Sequence, residues 1–286
     1  MATRKTVSLN QIELSYLDWQ TDGPPVLLLH GLADHALVWS AVGDRLAAHY
    51  HPVAVDMRGH GESSKPDNGY DFDTVSADLE ELMQHLGWSA AHVVGHSWAG
   101  KVATYWATRQ PKQFLSMALV DPIFIYGVPS VFRITFPLFY GTLPFLKGMG
   151  PFNSWDTAIA QGKQMKQYCD WNQLQASVFC KSLEEKSNGT VGSKFTIAAR
   201  DGIFEAVLRV PGLIREIQIP SLFVQPESGV NRFNWQLKPY QKYLKNLTVQ
   251  TVPGNHWAFL VEPEVFCQSL IVFFSTLSKN IADQSV

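Results

Sequence analysis

"HVVGHSWAGKVA", residues 92–103, runs from apolar residues into a serine framed by small ones. Val93 and Val94 read as a buried strand, and the stretch from Trp98 onward reads as a helix. Ser97 stands at the join, with Gly95 and Ala99 on either side and Gly100 following. A serine at the apex of a very sharp strand-to-helix turn needs this pattern. Larger flanking side chains would collide as strand and helix close on each other.

The 286 residues, 46% of them hydrophobic, can bury a full core and still carry an insertion or small second domain. Lys and Arg number 23 against 25 Asp and Glu, for a net charge of −2 with no basic block, so no nucleic-acid partner is expected. Cys169, Cys180 and Cys267 fall at no metal-ligand spacing and cannot all pair with one another, which suits a reducing compartment. The opening "MATRKTVSLNQIELSYLDW" alternates polar and apolar residues and lacks the apolar core of a signal peptide, so a cytoplasmic location is expected.

Outward from the serine, the chain alternates. Two short strands turn at Asn10-Gln11, "VLLLH" (26–30) is a strand covered on both faces, and a helix is predicted from Val38 to Ala48. After "PVAVDM" (52–57) comes a helix capped at Asp73 or Thr74 and ended by Gly87. The strand before Ser97, a helix from Trp98 to Gln110 and "MALVD" (117–121) follow. Alternating strands and helices predict a parallel sheet with helices on both faces. From 122 to 219 the alternation gives way to helix-like and aromatic segments, in which Pro129, Pro137, Pro144 and Arg133 argue against an integral membrane segment. It resumes with "PSLFVQ" (220–225), a helix from Gln236 to Leu244, "LTVQTV" (247–252) and a helix from Glu264 to Leu277. The expectation is one core, 1–121 with 220–286, carrying a helical cap (lid) over 122–219.

On this map Ser97 has the position of a nucleophile elbow. "LLLHG" with Trp39 downstream, "VDMRGHGESSKP" (55–66), "VVGHSWAG" and "VPGNHWAFLVEPEVF" (252–266) resemble the landmarks of the α/β-hydrolase superfamily, in its order and over nearly the whole chain. The family usually reads G-x-S-x-G, whereas here the last position is Ala99. The resemblance implies an α/β fold with a mostly parallel eight-stranded sheet and the cap inserted after strand 6. It also implies a serine-hydrolase site without cofactor or metal.

Ser97 would be the nucleophile and His256, in the loop after the last strand, the base that takes its proton. The backbone amides of Trp98 and Leu32 would hold the oxyanion. His96 would pack behind the elbow, and His30 would structure its own loop. Asp56, Arg58 and Glu62 would brace the loop after the fourth strand. The third triad member is the departure. Where the family usually places an aspartate, "QPESG" puts Gly229. Asp121, at the end of the strand before the cap, and Glu227 are the two alternatives; some family members take their acid from the earlier strand.

Gly31, Trp39, Phe124, Tyr126, Phe136 and Trp257 are candidates for the substrate pocket. The cap aromatics, Phe132 and Phe139 included, either line that pocket or form the cap's own core. The resulting reading is a hydrolase acting on a small-molecule carboxylic ester with a hydrophobic portion, through an acyl-enzyme. A dehalogenase is disfavoured, since those need a carboxylate where Ser97 stands. The family also holds thioesterases, lactonases, carbon–carbon bond hydrolases, haloperoxidases and hydroxynitrile lyases. A non-catalytic small-molecule receptor on the same scaffold is the alternative of another class, encouraged by the absent aspartate.

Overall fold

The computed structural model describes residues 1–128 and 149–284, with side chains up to residue 277. Near the N-terminus, Val7 and Leu14 alternate with polar residues, and this period of two forms an antiparallel ladder between β1 (Thr3–Ser8) and β2 (Glu13–Asp18). The apolar runs become β3 (Pro25–Leu29), β4 (His51–Val55), β5 (Ala91–His96) and β6 (Phe114–Val120), nearly all of whose residues are buried. Between them lie α1 (Ser40–Leu46), α2 (Phe72–His85) and α3 (Trp98–Arg109).

After β6 come α4 (Trp155–Gly162), α5 (Gln173–Lys181), a ribbon of β7 (Leu183–Glu185) and β8 (Val191–Ser193), and α6 (Ile197–Arg209). The chain then runs through β9 (Ser221–Ser228), α7 (Asn234–Tyr243), β10 (Leu247–Asn255), α8 (Ala258–Val261) and α9 (Pro263–Gln284).

The expected sheet is present. It has eight strands in the order β1-β2-β4-β3-β5-β6-β9-β10, parallel from β4 to β10 and antiparallel at β1 and β2. Alternate residues of the central strands feed two core layers. Leu27, Leu29, Val53, Val55 and Val93 pack with α2 and α3, whereas Val26, Leu28, Ala54 and Val94 pack with α1 and α9. Covering both faces leaves the ends of the strands as the place where chemistry can be exposed.

The cap of α2 is not Asp73 or Thr74. Asp71 holds it, accepting from the Thr74 amide at 2.9 Å, because buried Phe72 starts the apolar stripe earlier than Val75. Gly87 follows that helix at φ 74°, as expected of a left-handed terminator.

Trp39 also departs from expectation. It is wholly buried and stacks on Phe259 with ring centroids 4.2 Å apart, so it fills the core rather than walling a pocket. Trp39→Ala is therefore expected to destabilise the protein by about 3–5 kcal/mol in urea unfolding. A loss below about 1 kcal/mol would contradict the core placement.

Lys101 of α3 is fully buried. Its ammonium donates to the carbonyls of Tyr126 (2.9 Å) and Val207 (2.6 Å), tying α3 to the start and the end of the segment between β6 and β9. Burial pushes its pKa down to about 7. No helix among the described residues is long and apolar enough to cross a membrane.

Candidate active site

Ser97 caps α3 at φ 55° and ψ −118°, a conformation that side chains other than glycine rarely adopt. Its surroundings hold it there. The Ser97 amide donates to Val120 O at 3.0 Å, and its carbonyl accepts from the amides of Gly100 (3.1 Å) and Ile123 (3.3 Å). A Cβ at Gly95 would lie 2.7 Å from the Ala99 carbonyl oxygen, and one at Gly100 would lie 2.8 Å from the Pro122 Cβ. Those two glycines are therefore demanded by the turn, whereas the methyl of Ala99 is accommodated with no exposed surface. The Trp98 amide is the first of α3 and has no acceptor within the helix, so it lies at the positive end of the helix dipole.

Asp121 follows β6, also at positive φ (41°), and is wholly buried. Its Oδ2 accepts from His256 Nδ1 at 2.6 Å and from the Val230 amide at 2.7 Å. Its Oδ1 accepts from the Asn231 amide (3.0 Å) and side-chain Nδ2 (2.9 Å). Burial pushes this carboxyl pKa up. The His256 imidazole and the Val230 and Asn231 donors outweigh that and hold it below the usual carboxylate range.

Glu227 is exposed on β9, and Asp121 rather than Glu227 meets the imidazole. The reason is spatial. A Cβ at Gly229 would lie 2.5 Å from Asp121 Oδ2, so the carboxylate from β6 occupies the volume that a side chain on the later loop would need.

With Nδ1 donating to Asp121, the Nε2 of His256 is the nitrogen left with a lone pair, as a general base requires. The His256 carbonyl accepts from His96 Nε2 at 2.9 Å. His96 lies behind the turn as expected; burial pushes its pKa well below the usual histidine range and keeps it neutral. His30 structures its loop, donating from Nδ1 to Gly31 O at 2.7 Å while Nε2 accepts the Met57 amide at 3.0 Å. Asp56 accepts the amides of Ala36 (2.6 Å) and Glu62 (3.0 Å), and Arg58 pairs with Asp78 at 2.7 Å, so both brace the structure. Glu62 instead reaches Lys194 at 2.5 Å.

A cavity of about 20 Å³, room for one water, lies among Leu32, Ala33, Asp34 and Trp257 of the core and Met165 and Phe179 of the segment between β6 and β9; neither Ser97 nor His256 lines it. Trp257, a pocket candidate, lines this cavity, and so does Leu32, whose amide is the candidate oxyanion donor. Gly31 does not line the cavity. It is glycine because a Cβ there would sit 2.5 Å from His96 Nδ1. Phe124 and Tyr126 are 42% and 47% exposed and lie beside Lys101; the Phe124 ring centroid is 4.7 Å from the ammonium. Phe136 lies outside the described residues, as do Phe132 and Phe139. Among the described residues no group of His, Cys, Asp and Glu could hold a metal ion.

Sequence reasoning missed Asn231 and Asp34. Asn231 carries no local signal, because its partner is 110 residues away. Asp34 stands two residues after Leu32, in the loop already singled out for the oxyanion, and its burial is visible only in the fold.

A mostly parallel sheet with a strained serine between β5 and α3, and an Asp-His pair at the ends of β6 and β10 on either side of β9, has the architecture of a hydrolase fold. The chain belongs to the alpha/beta hydrolase fold family, whose model matches residues 24–179. It is similar to a fluoroacetate dehalogenase of a Burkholderia species, 26% identical over 91% of this chain and 90% of that one. A soluble epoxide hydrolase of Corynebacterium sp. (strain C12) is 36% identical over 41% of this chain and 40% of that protein. Among solved structures, E-2-(acetamidomethylene)succinate hydrolase superposes with a TM-score of 0.80 at 22% identity, covering 96% of this chain and all of that one. An N-formylmaleamate deformylase of Pseudomonas putida is 32% identical over 41% of this chain and 44% of that protein.

Proposed function

We propose that the protein hydrolyses a carboxylic ester with a hydrophobic portion through a Ser97-His256-Asp121 triad. The observation that carries this reading is the 2.6 Å bond from His256 Nδ1 to a fully buried carboxylate, on a sheet whose neighbouring strand ends in the strained Ser97 turn. Ser97 Oγ attacks the ester carbonyl carbon as His256 Nε2 takes its proton. The amides of Trp98 and Leu32 receive the oxyanion. The carbonyl re-forms, the C–O bond to the alcohol breaks, and the alcohol leaves with the proton from His256. Water then attacks the acyl-enzyme, its proton passing to His256 and on to Ser97. Asp121 keeps the imidazole in one tautomer and stabilises its cation.

Serine at the turn favours acyl transfer over displacement at a saturated carbon. An alkoxide attacking an alkyl halide or epoxide would leave an ether that water does not cleave, whereas an acyl-serine is an ester. The absent aspartate at Gly229, which would favour a non-catalytic receptor, is answered by Asp121 in the same volume. Residues 122–219 act as the cap. Met165 and Phe179 border the cavity from that segment, and the Val178 carbonyl bonds His35 Nε2 of the core at 2.9 Å. The reaction is assigned to a reducing, cytoplasmic compartment, in keeping with the three free thiols.

The apolar side chains of Leu32, Met165, Phe179 and Trp257, gathered where the core meets the segment between β6 and β9, support an acyl or alcohol group longer than acetyl. In a panel of p-nitrophenyl esters graded by chain length, kcat/KM is expected to rise from acetyl to hexanoyl by about tenfold or more, as buried methylenes contribute about 0.8 kcal/mol each. Equal or better turnover of the acetyl ester would overturn the hydrophobic assignment.

A further inference from the structure

The loop that leads into α7 carries an exposed apolar cluster. Val230, Phe233 and Trp235 are 51%, 61% and 66% exposed, three large apolar side chains within six residues. The Gln236 side chain fixes the backbone that displays them. Its Oε1 accepts the amides of Arg232 (3.0 Å) and Phe233 (2.9 Å), and its Nε2 donates to Val230 O at 2.9 Å. On its inner side the same loop holds Asp121, through the Val230 amide and Asn231. The cluster therefore stands at the edge of the sheet that carries Ser97.

Charge of one sign surrounds it. Leu237 and Tyr240 of α7 are buried, as is Leu244 at its end, and this spacing marks the inner face of the helix. Trp235, Lys238 and Lys242, at i, i+3 and i+7, are exposed and share the opposite face. Arg232 is exposed beside Phe233. Lys245 pairs with Glu216 at 2.7 Å, whereas Arg232, Lys238 and Lys242 make no ion pair among the described residues. Glu227 precedes the loop, and from 228 to 261 the sequence holds no Asp or Glu, in a chain whose net charge is −2. The excess of positive charge is thus local to this face.

Aromatic rings set among Lys and Arg suit the boundary between lipid headgroups and acyl chains, where the rings enter the apolar layer and the cations meet phosphate. A protein interface selects against this pattern, since Lys is depleted there and aromatic anchors fill pockets. We propose that α7 and residues 230–233 form a docking surface for anionic lipid. Phe233 and Trp235 insert among the headgroups, and Arg232, Lys238 and Lys242 lie against their phosphates. The occupant is the surface of a bilayer, which needs no spanning helix. Docking would bring the edge of the sheet that holds Ser97 to a layer of acyl esters. The inference goes beyond the serine-hydrolase reading and does not depend on it, because binding is measured without turnover.

The test is co-sedimentation of the full chain with vesicles of phosphatidylcholine alone or mixed with phosphatidylglycerol. The wild-type protein is expected to partition at least about tenfold more strongly into the mixed vesicles at about 0.1 M salt, and to lose most of that preference at about 1 M. Each Lys near an anionic surface contributes about fivefold, so Lys238→Gln with Lys242→Gln should weaken binding by about thirtyfold. Phe233→Ser with Trp235→Ser should weaken it by about tenfold or more. Lys112 is exposed at the opposite end of the sheet, before β6. Lys112→Gln makes the same charge change as Lys238→Gln and should leave binding within about twofold. Equal partition into the two kinds of vesicle, or unchanged binding in the folded double lysine variant, would overturn the inference. Binding to single-stranded DNA or to an acidic protein in place of vesicles would overturn it equally. Should a variant fail to fold by circular dichroism, the lipid and salt dependence of the wild type decides the matter. Vesicle binding without ester turnover would support the docking surface and count against the serine-hydrolase reading alone.

Discussion

Ser97→Ala is expected to lower ester turnover by at least about a thousandfold and to abolish labelling by a fluorophosphonate. The magnitude follows from what the residue would supply. Without Oγ no acyl-enzyme forms, and the residual rate comes from binding and the oxyanion donors alone. In the wild type, Ser97 Oγ should attack phosphorus, forming an O–P bond as fluoride leaves, and intact mass should show one phosphoryl adduct. The elbow is held by backbone hydrogen bonds to Val120, Gly100 and Ile123 rather than by the serine oxygen, so the fold should persist by circular dichroism. A near-wild-type rate in Ser97→Ala, or an adduct on another residue, would refute the assignment.

Asp121→Asn should impair turnover by about a thousandfold or more, as loss of the analogous acid does in serine proteases, where it costs about 10⁴. An amide at this position can offer its N–H to His256 Nδ1, which favours the tautomer with the proton on Nε2 and removes the base from Ser97. Glu227→Gln should change the rate by less than about twofold, because Glu227 is exposed and the imidazole is already held by Asp121.

The geometry at Gly229 adds a stricter arm. Gly229→Asp alone would force a side chain to within 2.5 Å of Asp121 Oδ2 and should destabilise the protein. Combined with Asp121→Gly, the same substitution puts a carboxylate back into the vacated volume and should recover at least about tenfold over Asp121→Asn. A collapse in Glu227→Gln with a normal rate in Asp121→Asn would move the role to the later loop.

What could be read directly were features carried by neighbours in the chain. The turn at Ser97 is legible because steric exclusion at Gly95 and Gly100 is a local demand: a Cβ at either would meet Ala99, Gly100 or Pro122. The parallel sheet is legible because strands buried on both faces must be apolar without alternation. Helix boundaries were less secure. Asp71 caps α2 rather than Asp73 or Thr74, since both kinds of residue can cap and only the burial of Phe72 selects between them.

The family's landmarks, being short motifs, put Ser97, His256 and Leu32 in order along the chain without saying what each side chain touches. Trp39 belonged to such a landmark and still turned inward onto Phe259, because a large apolar ring is stabilised equally by a core or a pocket wall and only packing decides.

The sequence by itself determined the α/β sheet and the sharp turn at Ser97, because periodicity and steric small-residue patterns act over a few residues. The tertiary structure decided which carboxylate reaches His256, that Asn231 and the Val230 amide hold it, and that Asp34 is buried in the cavity wall. Each of those depends on groups more than a hundred residues apart, or on the exclusion of water from a volume closed by several strands. Contact across the ends of β6, β9 and β10 is a property of their register, and register is set by the whole sheet rather than by any one segment.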